Sequence, residues 1–244
     1  MSLFKHSLSQ SHMEWASLLE QPNRLDDKAF RNRALDFASE MLAPVRDWAS
    51  RTVDHLDRSG YQFCWPEKAV VGPESDTAEW IAALADKKVH IPIALEAWLR
   101  TVGSINFMGT HPEWLKSGYV DPSRGWDGDP FYTDPIVVEL PSDYVTYLQD
   151  EWQEACLAGD DPGPFVIDVA PDYLHKANIS GGMPYQMYAD KPALDGIVLN
   201  ERRCTTFMGY LRIAVRWGGF PGLYYYGETE AEVVGTNACP RLEF

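Results

Sequence analysis

The residue pattern predicts an α+β fold. It has a small, mostly antiparallel sheet, helices packed on one side, and an N-terminal helical extension. Three observations carry this. Several separate windows place apolar residues three and four apart, the helical period. Short apolar runs bounded by Pro and Gly lie between them and read as strands. The two kinds of segment do not alternate as regular βαβ units, which argues against a doubly wound parallel sheet. With 244 residues, 45% of them hydrophobic, the chain can build a core without staples.

Taken in order, Leu25 to Asp57 reads as a long helix, with Phe30, Ala34, Phe37, Met41, Val45 and Trp48 at helical steps. Asp26 and Asp27 favour its start, and Pro44 is expected to kink or divide it. Tyr61 to Trp65 is a short apolar piece. A change of style near Gly60 divides the chain into residues 1–60, a helical extension docked on the core, and residues 61–244, the main domain. Asp76 with Glu79 has the spacing of a capping box for a helix through Trp80 and Leu84. Pro92 suits the first turn of the next helix, which carries Leu95, Trp98, Leu99 and Val102 and ends at Gly103. Ser104 to Gly109 alternates as a strand. Ile136 to Leu140 is a strand, and Pro141-Ser142-Asp143 opens a helix with Tyr144, Leu148 and Trp152 on one face. Phe165 to Val169, Tyr185 to Ala189 and Ile197 to Asn200 are further strands. Thr206 caps a last helix containing Phe207, Tyr210, Leu211, Ala214 and Val215, which Gly218-Gly219 stops. Tyr224 to Tyr226 reads as an extended strand with alternating faces.

One part of this pattern resembles a known family. Ile91-Pro92, the helix through Trp98 and Leu99, Val102-Gly103 and the strand Ile105 to Met108 are similar to the leading motif of the SUKH superfamily. These are the Smi/Knr-like proteins, which include bacterial toxin-immunity proteins and fungal cell-wall regulators. The likeness covers Ile91 to Gly109 and continues in outline to the helix Phe207 to Trp217. Ile stands where the family has Leu before Pro92, and Val102-Gly103-Ser104 replaces an Asn-Gly-Gly type of turn. The resemblance implies a binding protein rather than an enzyme, and no catalytic residue carries across.

Charge adds a reading of its own. The formal net charge is −15. Ser104 to Asp172 holds 14 acidic residues against two basic ones, Lys116 and Arg124, a balance of −12. A field of that sign repels phosphate backbones and favours a basic partner. No run approaches the roughly 20 apolar residues of a membrane span. Met1 to Gln10 has one Lys and no apolar run, which reads against a secretory leader. Cys64, Cys156, Cys204 and Cys239 are far apart with no C-x-x-C pair, so buried, reduced thiols and a cytoplasmic site are expected.

The candidate chemical motifs are thin. His111-Pro112-Glu113 sets an imidazole near a carboxylate, and a small hydrolase using this region, or a regulatory scaffold protein, is the rival reading. Asp127-Gly128-Asp129 begins like a calcium loop, but position 12 falls on Val138 (on Leu140 if counted from Asp129), so neither a metal nor a cofactor is expected. His175-Lys176 with Asn178, Ser180, Gly181 and Gly182 reads as a polar turn. It lacks the phosphate-loop spacing. Arg212 and Arg216, one turn apart, suit pairing with the acidic segment.

Thr110 to Pro135 mixes Pro, Gly, acids and large aromatics, a composition that suits an interface better than a bare connection. The expected contacts are Trp114, Tyr119, Trp126, Asp127, Asp129 and Asp134. They would meet a protein partner with a basic surface, a toxin being the kind the resemblance implies, with no nucleic acid and no membrane.

Overall fold

A computed structural model describes residues 11, 13–111, 133–179, 181–225, 242 and 244. Helix α1 (Lys28–Ser59) buries one stripe that runs from Phe30 and Ala34 through Leu42 and Val45 to Trp48 and Leu56. The Asp27 carboxylate starts it by accepting the Ala29 N–H at 2.9 Å and the Phe30 N–H at 3.4 Å. Gly60 ends it at φ 97°, a left-handed conformation that suits glycine. Pro44 lies inside the helix and does not divide it in two. Pro44 and Glu40 both lie on the exposed side. The Glu40 carbonyl that loses its donor therefore lies on the side that faces water.

Strand β1 (Gln62–Phe63) leads through a 3-10 turn, Pro66–Lys68, to β2 (Val70–Val71) and α2 (Thr77–Asp86). The expected capping box does not form, since the Asp76 side chain makes no cap bond. The Thr77 hydroxyl instead donates to the Glu74 carbonyl at 2.8 Å. Helix α3 (Ile93–Thr101) follows Pro92, and every residue from Ile93 to Leu99 is buried. It lies against α1. Glu96, 1% exposed, receives Arg31 from α1 and Arg100 from its own helix. Gly103 ends α3 at φ 90°. A side chain there would strike the backbone of Val71 and Gly72.

Strand β3 (Ser104–Asn106) pairs antiparallel with β2 and with β5 (Val137–Val138), in the register Ile105 to Val70 and Ile105 to Val138. Strand β4 (Gly109–Thr110) pairs with β1. Helix α4 (Ser142–Ala158) follows Pro141 as expected, but it buries Val145 and Gln149, with Leu148 and Trp152 half-buried. The buried face is thus turned by one position, and Tyr144 is left on the surface. Strand β6 (Val166–Ala170) pairs antiparallel with β7 (Tyr185–Tyr188) across the short helix α5 (Tyr173–Lys176). The Glu139 N–H bonds the Val169 carbonyl at 3.3 Å and joins this ribbon to the β2–β3–β5 sheet. Residues 197–200 form isolated bridges rather than a full strand, Ile197 to Thr206 and Leu199 to Gln186.

Helix α6 (Phe207–Arg216) is capped by the Thr206 side chain on the Gly209 N–H at 3.2 Å. It ends at Gly218 and Gly219, φ 63° and 95°. Pro221–Tyr225 is a 3-10 turn. The expected extended strand at Tyr224 does not form, because Pro221-Gly222 turns the backbone. The Tyr224 and Tyr225 side chains and Tyr226 lie outside the described residues. Trp48 packs on Phe107 at 6.2 Å and Trp98 on Phe207 at 5.9 Å, so α1, α3, α6 and the sheet share one core. The whole is α+β with small antiparallel sheets. Among the described residues no helix is long and apolar enough to cross a membrane.

Candidate functional site

The acidic segment from Ser104 to Asp172 is tied down on either side of residues 112–132. At the near end, β4 holds Thr110 against Gln62, and the buried His111 ring donates from Nε2 to the Ser59 carbonyl at 2.6 Å. At the far end, the Gly222 N–H donates to the Thr133 carbonyl at 2.9 Å. Asp134 follows, 3% exposed and at φ 48°. Its Oδ1 accepts Lys176 Nζ at 2.8 Å and its Oδ2 accepts the Tyr185 hydroxyl at 3.0 Å. An exposed rim contact was expected of Asp134, and the structure corrects this. The left-handed turn aims its carboxylate at a buried ammonium, where burial is compensated.

That ammonium is itself 0% exposed. Lys176 Nζ lies over the Tyr185 ring at 4.5 Å and donates to the Tyr210 hydroxyl at 3.4 Å. Burial pushes its pKa down, and the Asp134 carboxylate pulls it back up. Burial, reinforced by Asp134, pushes the Tyr185 and Tyr210 hydroxyls well up, so both remain protonated. Glu201, also buried, takes Arg203 at 2.6 Å beside this group. The arrangement clamps Asp134, within the acidic segment, to α5 and β7 and, through Lys176, to α6.

Beyond the clamp the segment runs buried through β5 and reaches the surface at α4. Residues 133–172 hold ten Asp or Glu and no Lys or Arg. Asp134 and Asp172 are buried. Asp143, Asp150, Glu151 and Glu154 on α4, with Asp160 and Asp161 after it, are exposed. Among the described residues, α4 meets a cation in the exposed Lys87–Asp150 pair at 3.6 Å. Tyr144 and Tyr147 stand among these acids, Tyr147 at 54% exposure. The Tyr144 hydroxyl donates to Asp168 Oδ2 on β6 at 2.6 Å. Burial and that bond push its pKa up to about 12.

The expected contacts Trp114, Tyr119, Trp126, Asp127 and Asp129 lie outside the described residues, as do Glu113, Ser180 and Cys239. The His175 ring bonds Asp172 through Nδ1. Asp172 also caps α5, accepting the Leu174 N–H at 2.8 Å. A Cβ on Gly181 would sit 2.6 Å from Asp172 Oδ1, so the polar turn closes on its own carboxylate. Arg212 donates to the Phe244 carbonyl at 2.9 Å and lies near Asp195, not along the acidic segment. Cys156 and Cys204 are exposed free thiols and Cys64 is half-buried, against the expectation that they are buried. Among the described residues no three His, Cys, Asp or Glu side chains gather as metal ligands would. A groove of about 240 Å³ between β2, α2 and the start of α4 has Lys68, Glu74, Trp80 and Glu139 in its lining.

Sequence reasoning missed the Lys176–Asp134 pair, because 42 positions separate its members and no spacing rule links them. It also missed the exposure of Tyr144, which a strict i, i+4, i+8 reading turned inward. Comparison with protein-family models, with curated proteins and with solved structures found no match.

Proposed function

We propose that the chain is a protein-binding module of the toxin-immunity type, acting in the cytoplasm, that occludes a partner protein with a basic surface. One observation carries this: residues 133–172 contain ten carboxylates and no Lys or Arg, and α4 holds several of those acids in the open. Exposed like charges at this density repel one another, a cost that an opposing basic surface relieves. The same sign disfavours a nucleic acid. The exposed tyrosines of α4 supply large, stiff apolar area among the acids, as interface centres do. The resemblance around Ile91 to Gly109 supports the immunity type and, with it, occlusion rather than catalysis.

The test begins with affinity capture of the partner from the native cell. Changing Asp127 and Asp129 to Asn then slows association and flattens its salt dependence, because rim charges act on the on-rate. Trp126→Ala speeds dissociation by about 30-fold, the equivalent of about 2 kcal/mol for a central anchor. If Trp126→Ala lowers the melting temperature while the partner binds as before, Trp126 serves folding alone and the reading fails.

A further inference from the structure

The ribbon of β6 and β7 has an inner and an outer face. Ile167, Val169, Tyr185 and Met187 point inward and are buried. The register pairs Val166 with Tyr188 and Asp168 with Gln186 on the outer face. The antiparallel bridge of Gln186 to Leu199 continues this face, and two residues further along each segment the same register would bring Ile197 alongside Tyr188. The outer face therefore carries an apolar row, Val166–Tyr188–Ile197, beside a second row, Asp168–Gln186–Leu199. Antiparallel ribbons usually show polar residues to water. Here Tyr188 is 45% and Ile197 52% exposed.

The polar members of the second row are already ordered. Gln186 Nε2 donates to Asp168 Oδ1 at 2.7 Å, Tyr144 donates to Oδ2, and Asn200 Nδ2 donates to Gln186 Oε1 at 3.3 Å. These bonds fix the Asp168 carboxylate in place, and among the described residues no cation pairs with it. The six strand positions of the face hold that one carboxylate and no cation. Through Tyr144 the face is continuous with the N-terminal half of α4 and its exposed Asp143 and Asp150.

We propose that this outer face is a docking surface for a protein segment that sets apolar side chains on Val166, Tyr188 and Ile197 and a Lys or Arg on Asp168. The proposal rests on the basic-partner reading above and adds a surface to it. Charge decides the occupant. A second copy of this chain would bring Asp168 and the α4 acids against their own kind, and a nucleic acid would bring phosphate against them. A basic segment with apolar residues between its cations meets both rows at once.

The probe is a 12-residue peptide in which Lys alternates with Leu and Trp, titrated into the ¹⁵N-labelled full chain. Amide shifts are expected at Asp168, Gln186, Tyr188 and residues 197–199, with affinity falling as salt rises. Tyr188→Ser combined with Ile197→Ser weakens binding about tenfold or more, and Asp168→Asn by about threefold. Both apolar side chains are exposed, so the variants keep the wild-type melting temperature. The same peptide with Glu for Lys gives no shifts. Shifts scattered over α4 that spare Tyr188 and Ile197, equal binding by the double variant, or no binding of the Lys peptide each overturn this surface. A dimer by sedimentation that Ile197→Ser dissociates seats a second copy there and also overturns it. The native partner separates the two readings. If its capture depends on Asp127, Asp129 and Trp126 but not on Tyr188 and Ile197, the basic-partner reading stands without this surface. If none of these changes alters its capture, both readings fall.

Discussion

Lys176 and Asp134 show what a buried charge requires of its neighbours. A lysine with 0% exposure persists because Asp134, the Tyr210 hydroxyl and the Tyr185 ring all face it. Lys176→Met would leave the Asp134 carboxylate buried with only the Tyr185 hydroxyl, a loss of about 3–5 kcal/mol. Adding Asp134→Asn should restore most of that, since Asn tolerates the left-handed turn and no bare charge remains. Urea unfolding of the two single variants and the double variant measures this. Additive losses, with no recovery in the double variant, would show that the pair is not coupled. The effect concerns stability and the anchoring of residue 134. Side chains on the outer face of β6 and β7 should leave it unchanged.

At the scale of elements, α6 holds a carboxylate where its own chemistry and its surroundings disagree. Asp195 Oδ1 accepts the Met208 N–H at 3.3 Å in the first turn, a position that favours the charged form. Burial wins, and the pKa rises from 3.8 to about 6. The folded state therefore binds more protons than the unfolded chain across that window, so stability falls as pH rises from about 4 to about 6 and levels off above. Asp195→Asn keeps the acceptor and should remove this slope. Melting temperatures at pH 4.5, 5.5 and 6.5 measure it, and an unchanged slope in the variant assigns the proton elsewhere. The elements legible in the sequence were those with a period and a punctuation mark, such as α1 after Asp27, α3 between Pro92 and Gly103, and α6 between Thr206 and Gly218. Those misread depended on distant partners. Pro44 survives inside α1 because its neighbours on the buried stripe are held by α3. Tyr144 faces out because Val145 and Gln149 find the seat, Gln149 taking Lys87 Nζ at 3.0 Å. The candidate surface was legible as charge. The clamp at Asp134 and the apolar row on the outer face were not, since both join residues that no local spacing relates.

For the whole molecule, the question is whether α1 is an attachment or part of the fold. Trp48 and Leu42 are fully buried, and Trp48 packs directly on Phe107, which leads from β3 toward β4. The Tyr61 hydroxyl donates to the Phe107 carbonyl at 2.7 Å and fixes the exit from α1 to the same place. Electrostatics agrees with packing. Glu96 is almost wholly buried in α3 and takes Arg31 from α1 as well as Arg100. Removing α1 would uncover a wide apolar face and strip one of the two cations from a buried carboxylate, either of which costs several kcal/mol. That is comparable with the whole stability of a typical domain. Residues 61–244 alone are therefore expected not to fold. Limited proteolysis of the intact chain checks this. Cleavage should avoid the 58–62 region while the protein is folded, and no stable fragment starting near Tyr61 should accumulate. Clean cutting at Gly60 with an unchanged melting temperature would show instead that α1 rests on the sheet without sharing its core.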